Sequence, residues 1–470
     1  MKIKDMTKRI GYVGVYVVAL FLLACLLIGQ MKYALPETPI VVAFSTLVLS
    51  SFYYWGKKNV AISNKYFWIS ASTFLVLTFL VEVYVINALP FDWASDPRLC
   101  KEQAEYMLTT WSLKPELNVY FSMYPNNINI LIILGALYRL FGDYNMVIYL
   151  FLVLVNLSSL CSSLIVRNIT NNNFASLTSL LLLQVFCIFT TRTYMPYTSN
   201  LALIFPALMF YVYTSKLSKA GKTILIPIIA AIGWQAKVTS LIAFIAIIIV
   251  EGFRYVTYIY IYTKRDLIIS VSSTLVAFSL LACVKSVCWN QFHYQIDESR
   301  AKGYVYFCYL GQNTQSGGQW DAEYVKKSEY VAPKAERDAY YLSIIKRDVK
   351  ERGVLGNIKF YVAKTAICWG CTYQDYTRFD GKDNKWIFAF RHSIWFLVFA
   401  CAVLSIFICR NKYNLAMMLT LAGVMCYLFL SEGSFTYVIM FSPIVFAMAG
   451  ITFANISNKR LLDYAKNKMA

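Results

Sequence analysis

SKLSKAGK, residues 215–222, places Lys216, Lys219 and Lys222 between two apolar runs, and the side of a membrane on which it lies decides the fold. Short loops rich in Lys and Arg mark the cytoplasmic side of a membrane protein. The basic amino terminus, MKIKDMTKR, belongs inside by that rule. Apolar segments near 11–29, 38–55 and 66–88 then bring WGKKNVAISNKY inside and release the chain outside at residue 89. Counting the next four runs (128–141, 146–166, 175–191 and 199–214) as crossings strands SKLSKAGK outside, against the charge rule. The shortest, 128–141, has about 14 residues, so it is expected to dip into the membrane and return.

With that repair the remaining loops agree. VRNITNNN, SKLSKAGK, YTKRD and RNKYN fall inside, and so does the tail SNKRLLDYAKNKMA. The broken pair 223–234 and 238–251 turns outside around WQAK. The expected fold is an all-α polytopic membrane protein with about 12 to 13 transmembrane helices. It divides into an N-terminal transmembrane module, 1–285, with a first outer loop at 89–127, an extracytoplasmic soluble domain, 286–385, and C-terminal helices with a basic cytoplasmic tail, 386–470.

Composition supports this class: 59% of residues are hydrophobic and only 15% charged. The net charge of +19 sits in loops where membrane insertion accounts for it, so no nucleic-acid partner is expected and membrane lipids are. The cysteines are scattered through apolar segments as small buried hydrophobes. CWGC (Cys368–Cys371) has redox spacing without a βαβ context, and His293 and His392 are too far apart in sequence to suggest zinc. No N-x-[ST] sequon falls in an assigned outer loop, which favours the cytoplasmic membrane of a bacterium. The absence of an internal repeat argues against an inverted-repeat transporter.

The topology collects the chemistry-bearing residues on the outer face: Asp92, Asp96, Tyr124, Asn126, Asn127, Arg192, Lys237, Arg378, Glu432 and Tyr437. Ionisable residues at a membrane boundary are functional candidates by default. In SDPRLCKEQAEYML, Asp96 reads as an N-cap and Pro97 as the first residue of a helix lying on the membrane surface. Asp92 stands between Phe91 and Trp93 with no capping role. In YFSMYPNN, Tyr124 and Pro125 precede two amides, Asn126 and Asn127, whose donors and acceptors suit a sugar or a phosphate. Lys237 lies between two short half-spans, where an ammonium can hold a phosphate.

These residues carry a resemblance. Asp96 in SDP, Ala104, VYFSMYPNN (119–127), YRLFGDYN (138–145), AKVTSLIAFIAI and SEGSFTYVIMFSPIVFAMAG are similar to the motifs of the bacterial GT-C superfamily, integral membrane glycosyltransferases that use polyprenyl-phosphate sugars. Departures are Val238 in place of a proline, Thr436 in place of an arginine, and YTSN (197–200) in place of Tyr-Thr-Asp. The resemblance implies a GT-C-like first outer loop bearing surface helices. It also implies inverting transfer of a sugar from a polyprenyl-phosphate donor to a hydroxyl of a glycan or lipid-linked acceptor. On that reading Asp96, with Asp92 as the alternative, takes the acceptor proton, and Lys237, Arg378 and Arg192 hold the donor phosphate. Tyr124, Asn126, Asn127, Glu432 and Tyr437 bind substrate. Some relatives use a divalent cation such as Mg2+ or Mn2+ at the phosphate, whereas no metal ligand set is required by this sequence. Two other classes stand beside this reading: a polysaccharide polymerase or ligase acting on diphosphate lipids, and a flippase or transporter.

Overall fold

The apolar runs form helices, the structure in which a chain surrounded by lipid satisfies its own backbone. The computed structural model describes residues 2–33, 35–57, 62–88, 95–190, 195–257, 264–290, 292, 295–329, 334–370, 378–379, 382–383 and 385–456. In chain order the helices are α1 (Lys2–Tyr33), α2 (Thr38–Lys57), α3 (Asn64–Ala88), α4 (Ser95–Tyr106), α5 (Asn118–Met123), α6 (Ile128–Phe141) and α7 (Tyr144–Thr170). Next come α8 (Asn173–Ile188), α9 (Thr198–Ala202), α10 (Ile204–Thr214), α11 (Lys219–Ala236), α12 (Leu241–Thr257) and α13 (Lys264–Asn290). The last group is α14 (Tyr304–Gly311), α15 (Ala322–Glu329), α16 (Lys334–Trp369), α17 (Lys385–Ile408), α18 (Lys412–Leu430), α19 (Phe435–Ile439) and α20 (Ser442–Ile456). Among the described residues the strands are one antiparallel pair, β1 (Arg378–Phe379) and β2 (Lys382–Asp383). This is an all-α polytopic membrane protein. Among the described residues α3, α7, α12, α13, α17 and α18 are long and apolar enough to cross a membrane, and shorter apolar helices lie in α1, α2 and α8, across α9 and α10, and in α20.

Helix position follows side-chain polarity. On α13, Val271, Leu275, Val276, Leu280 and Val284 are all more than half exposed, an apolar surface that lipid covers. By contrast α20 buries nearly every side chain, from Ser442 to Ala454, against α7, α8 and α17. It is the helix around which the others pack.

The loops sort to two ends. At one end Lys412 Nζ donates to Glu251 Oε1 at 2.9 Å, Arg254 pairs with Glu251 at 3.1 Å, and Lys222 Nζ donates to the Tyr213 carbonyl at 3.0 Å. Asn168 Nδ2 donates to Thr214 Oγ1 at 3.4 Å, and Arg167 Nη2 to Asn64 Oδ1 at 2.8 Å. SKLSKAGK therefore shares an end with Arg167, Arg254 and Lys412.

The run 128–141 forms α6, which at 14 residues is about 21 Å long and short of the ~30 Å hydrocarbon core. Both of its ends stay beside α4. Just before its start, Asn127 meets Tyr197 next to Asp96, and just past its end the Tyr144 ring lies 5.3 Å from Lys101 Nζ. Between them Gly135 presses on Met107, where an added Cβ would stand 2.8 Å from Met107 Cε. Consequently α7 starts from the end of the bundle where α4 lies.

At that same end a buried lysine clamps three segments. Lys364 Nζ, on α16, donates to the carbonyls of Gly311 and Ser431, each at 2.6 Å. Gly433 N donates to the Gly318 carbonyl at 2.7 Å. Gly311 permits this approach, because a Cβ there would lie 2.3 Å from the Ser431 carbonyl oxygen. Glu432 is held between these contacts.

Candidate functional site

Asp96 is the second residue of α4 rather than its N-cap, and its carboxylate faces outward to partners distant in sequence. Helical geometry then buries Pro97, Cys100, Gln103, Ala104 and Met107 on one face of the chain that follows it. Tyr197 Oη donates to Asp96 Oδ2 at 2.9 Å and lies 3.2 Å from Asn127 Oδ1. Tyr120, on α5, also hydrogen-bonds Asp96, and Asn127 Nδ2 donates to Tyr120 Oη at 2.8 Å. The elements explain this convergence. Tyr197 precedes α9 with extended backbone (φ −151°, ψ 170°), and Pro125 opens the 3-10 turn Pro125–Asn127 that delivers Asn127 to the interior. Burial, then Tyr197 and Asp96, hold the Tyr120 phenol well above its ordinary range, so it remains a donor. A carboxylate has about four lone-pair sites, and two phenols orient it without exhausting them.

Lys237 breaks the helical chain between α11 and the 3-10 turn Val238–Ser240, with φ −162° and ψ 126°. Its carbonyl is satisfied by Ser240, from N at 3.0 Å and Oγ at 2.8 Å. The side chain is thereby directed to Ser199, with Nζ donating to Ser199 Oγ at 2.6 Å, and it lies 4.4 Å from the Tyr437 ring centroid. Tyr197 and Ser199 are two residues apart, so one short segment carries both the partner of Asp96 and the partner of Lys237. Asp96 and Glu432 both act electrostatically on the Tyr437 hydroxyl.

The structure thus gathers Asp96, Asn127, Lys237, Glu432 and Tyr437, and Tyr124 borders them. Asn126 is exposed at the edge, its Nδ2 donating to Asn127 Oδ1 at 3.2 Å. Asp92 and Arg192 lie outside the described residues, as does Cys371 of CWGC, and Arg378 is described only as backbone of β1.

Several residues escaped the reading of the sequence. Lys302, 8% exposed, places Nζ 5.0 Å from the Tyr124 ring and 4.5 Å from the Tyr306 ring, and donates to Tyr124 Oη at 3.3 Å. Burial, then Tyr124 and Glu432, raise the Tyr306 phenol above its ordinary range. Lys302 is thus a second cation on the Glu432 side of the site. No local pattern marked it; the one signal was a basic residue in a segment that the charge rule does not govern. Glu82 is fully buried within α3, its Oε2 accepting from Asn156 Nδ2 at 2.6 Å, with Gln184 Nε2 donating to Asn156 Oδ1 at 3.2 Å. Arg391, on α17, is 1% exposed, and its Nε and Nη1 have no hydrogen-bond partner among the described residues.

Asp96 and Glu432 are two carboxylates where a divalent ion takes about six oxygen ligands. Among the described residues no cluster of three His, Cys, Asp or Glu side chains suited to a metal is present.

The fold and its lipid-facing helices define an integral membrane protein. The chain belongs to the family described as conserved hypothetical integral membrane protein, whose model matches residues 26–370. That match takes in Asp96, Asn127, Tyr197, Lys237 and Lys302, and stops before Glu432 and Tyr437. No curated protein matches the chain.

Proposed function

We propose that the protein is an inverting glycosyltransferase that moves a sugar from a polyprenyl-phosphate donor to a hydroxyl of a glycan or lipid-linked acceptor, at the extracytoplasmic face of a bacterial cytoplasmic membrane. One observation carries the reading: Tyr197 and Ser199 couple the Asp96 carboxylate and the Lys237 ammonium within a single segment. Glycosyl transfer needs that pair. A carboxylate removes the acceptor proton as the new bond forms, while a cation stabilises the departing phosphate. Asp96 takes the first role, oriented by Tyr197 and Tyr120. Lys237 takes the second, with Lys302 across the site beside Glu432. Tyr124 and the exposed Asn126 bind the sugar edge, and the buried Asn127 holds Tyr120 and Tyr197 in place.

The test is mass spectrometry of cell-surface glycans from cells with and without the protein. A sugar lost with the protein is expected to return with the wild type and not with Asp96→Asn; full restoration by Asp96→Asn would rule the reading out.

A flippase or transporter is the second reading, favoured by the buried Glu82–Asn156–Gln184 network, since an ionisable side chain inside a bundle marks transport paths. It requires that Glu82→Gln abolish movement of a lipid-linked sugar across vesicles while polyprenyl phosphate is never released.

A further inference from the structure

Beyond the Asp96 site, α14, α15, the first half of α16 and residues 313–315 line an open cleft of about 520 Å3, within the ~300–1,000 Å3 range of small-ligand sites. Its lining includes Tyr309, Asn313, Tyr324, Tyr340 and Asp348. Tyr324 and Tyr340 are its half-buried rings, and the buried Tyr309 backs Tyr324 to make a rigid aromatic wall. Tyr309 stacks on Tyr324 at 4.3 Å and on Tyr341 at 4.7 Å between ring centroids.

Asn313 is the telling residue. It is 2% exposed, its Oδ1 accepts from Gln315 N at 2.9 Å, and its Nδ2 has no partner among the described residues. A buried amide donor left unpaired costs about 1–3 kcal/mol, so a ligand acceptor in the cleft would satisfy a group that the protein does not. The charges narrow the ligand class. Arg347 and Arg352 are matched in the lining by Asp348 and Glu351. Arg347 is bonded to Asp348 at 2.9 Å. Arg352 is held by the Gln312 carbonyl at 2.8 Å, Gln312 Oε1 at 2.7 Å, Thr314 Oγ1 at 3.0 Å and Asn357 Oδ1 at 2.8 Å. Arg352 is thus committed to the protein, and the charge of the exposed Arg347 is compensated by Asp348. An aromatic platform, an unsatisfied amide donor and a carboxylate acceptor fit the apolar faces and hydroxyl rim of an uncharged sugar.

We infer that this cleft is a saccharide-binding site that takes a neutral stretch of the acceptor glycan. Its role as an acceptor site rests on the glycosyltransferase reading; its binding of sugar does not. The two sites share α14, on which Tyr306 borders Lys302 and Tyr124 while Tyr309, three residues on, lines the cleft. Tyr306 and Tyr309 stand one helical turn apart on α14, so the cleft adjoins the Lys302 side of the Asp96 site.

The experiment is saturation-transfer NMR on the full chain in nanodiscs, with maltotriose, mannotriose, cellotriose and galactotriose as neutral probes and trigalacturonate as the anionic one. At least one neutral trisaccharide is expected to receive saturation. Asn313→Ala and the half-buried Tyr340→Ala are each expected to weaken its binding by about tenfold, the worth of one hydrogen bond or ring contact. Asp96→Asn is expected to leave binding unchanged, which separates failure of the cleft from failure of the transfer reading. No saturation of any neutral probe, wild-type signals in both cleft variants, or a preference for trigalacturonate would overturn the inference.

Discussion

Asp96 is held in place by Tyr197 and Tyr120. The Tyr197 phenol contributes one hydrogen bond to a charged acceptor, and Tyr197→Phe removes that bond while keeping the ring. Such a bond contributes about 1.5–3 kcal/mol, so Tyr197→Phe is expected to lower kcat roughly ten- to hundredfold with KM for the donor nearly unchanged. Initial-rate kinetics in nanodiscs checks this, and an unchanged kcat would remove Tyr197 from the mechanism. Lys237 predicts the opposite pattern if its ammonium grips donor phosphate in the ground state as well as the transition state. Lys237→Met is expected to raise KM for the donor and lower kcat/KM about ten- to hundredfold. A loss of kcat alone would place Lys237 on the acceptor side.

At the scale of elements, the link between α14, α16 and the segment after α18 passes through Lys364. Burial is the main cause that pushes this ammonium down from 10.5 to about 8, and it lies outside the spanning helices. The sign follows from proton counting. Between about pH 8 and 10.5 the unfolded chain holds the proton and the folded chain releases it, so stability rises with pH across that window. A neutral amine keeps two N–H donors for the Gly311 and Ser431 carbonyls. The thermal midpoint of the wild type is expected to rise between pH 8 and 10 relative to Lys364→Met, and parallel curves for the two proteins would contradict the assignment. Helix α6 makes the complementary point about length. Its hydropathy resembles that of a crossing, and only its length and its packing along α4 distinguish it.

For the whole molecule, SKLSKAGK shares an end with Arg167, Arg254 and Lys412, and Asp96 lies at the other. In a background with the exposed Cys283 and Cys426 changed to Ser, a Lys219→Cys variant is expected to react with an impermeant maleimide only after the membrane is opened. A Gln315→Cys variant is expected to react in intact cells. The reverse pattern would put the Asp96 site in the cytoplasm. Helices were legible in the sequence because lipid penalises any unpaired backbone, leaving a long apolar run no other fold. Asp96, Asn127 and Lys237 were legible because each stands beside a chain break, at SDP, YPNN and WQAK. The roles of Lys302 and of Tyr197 and Tyr120, which lie within YTSN and VYFSMYPNN, were not. They depend on partners up to about a hundred residues or more away, and a tyrosine in so aromatic a chain carries no local signal. Glu82 and Arg391 were hidden inside apolar runs, where single charges look like interruptions until burial is known.

The central claim is that Asp96 serves transfer of a sugar off polyprenyl phosphate. It is tested most directly by supplying the full chain in nanodiscs with polyprenyl-phosphate sugars extracted from the cells that make it, and measuring release of free polyprenyl phosphate. Wild type is expected to release it and Asp96→Asn to do so at least about a hundredfold more slowly. Equal release by Asp96→Asn, or no release by the wild type while the lipid-linked sugar changes leaflet, would contradict the account.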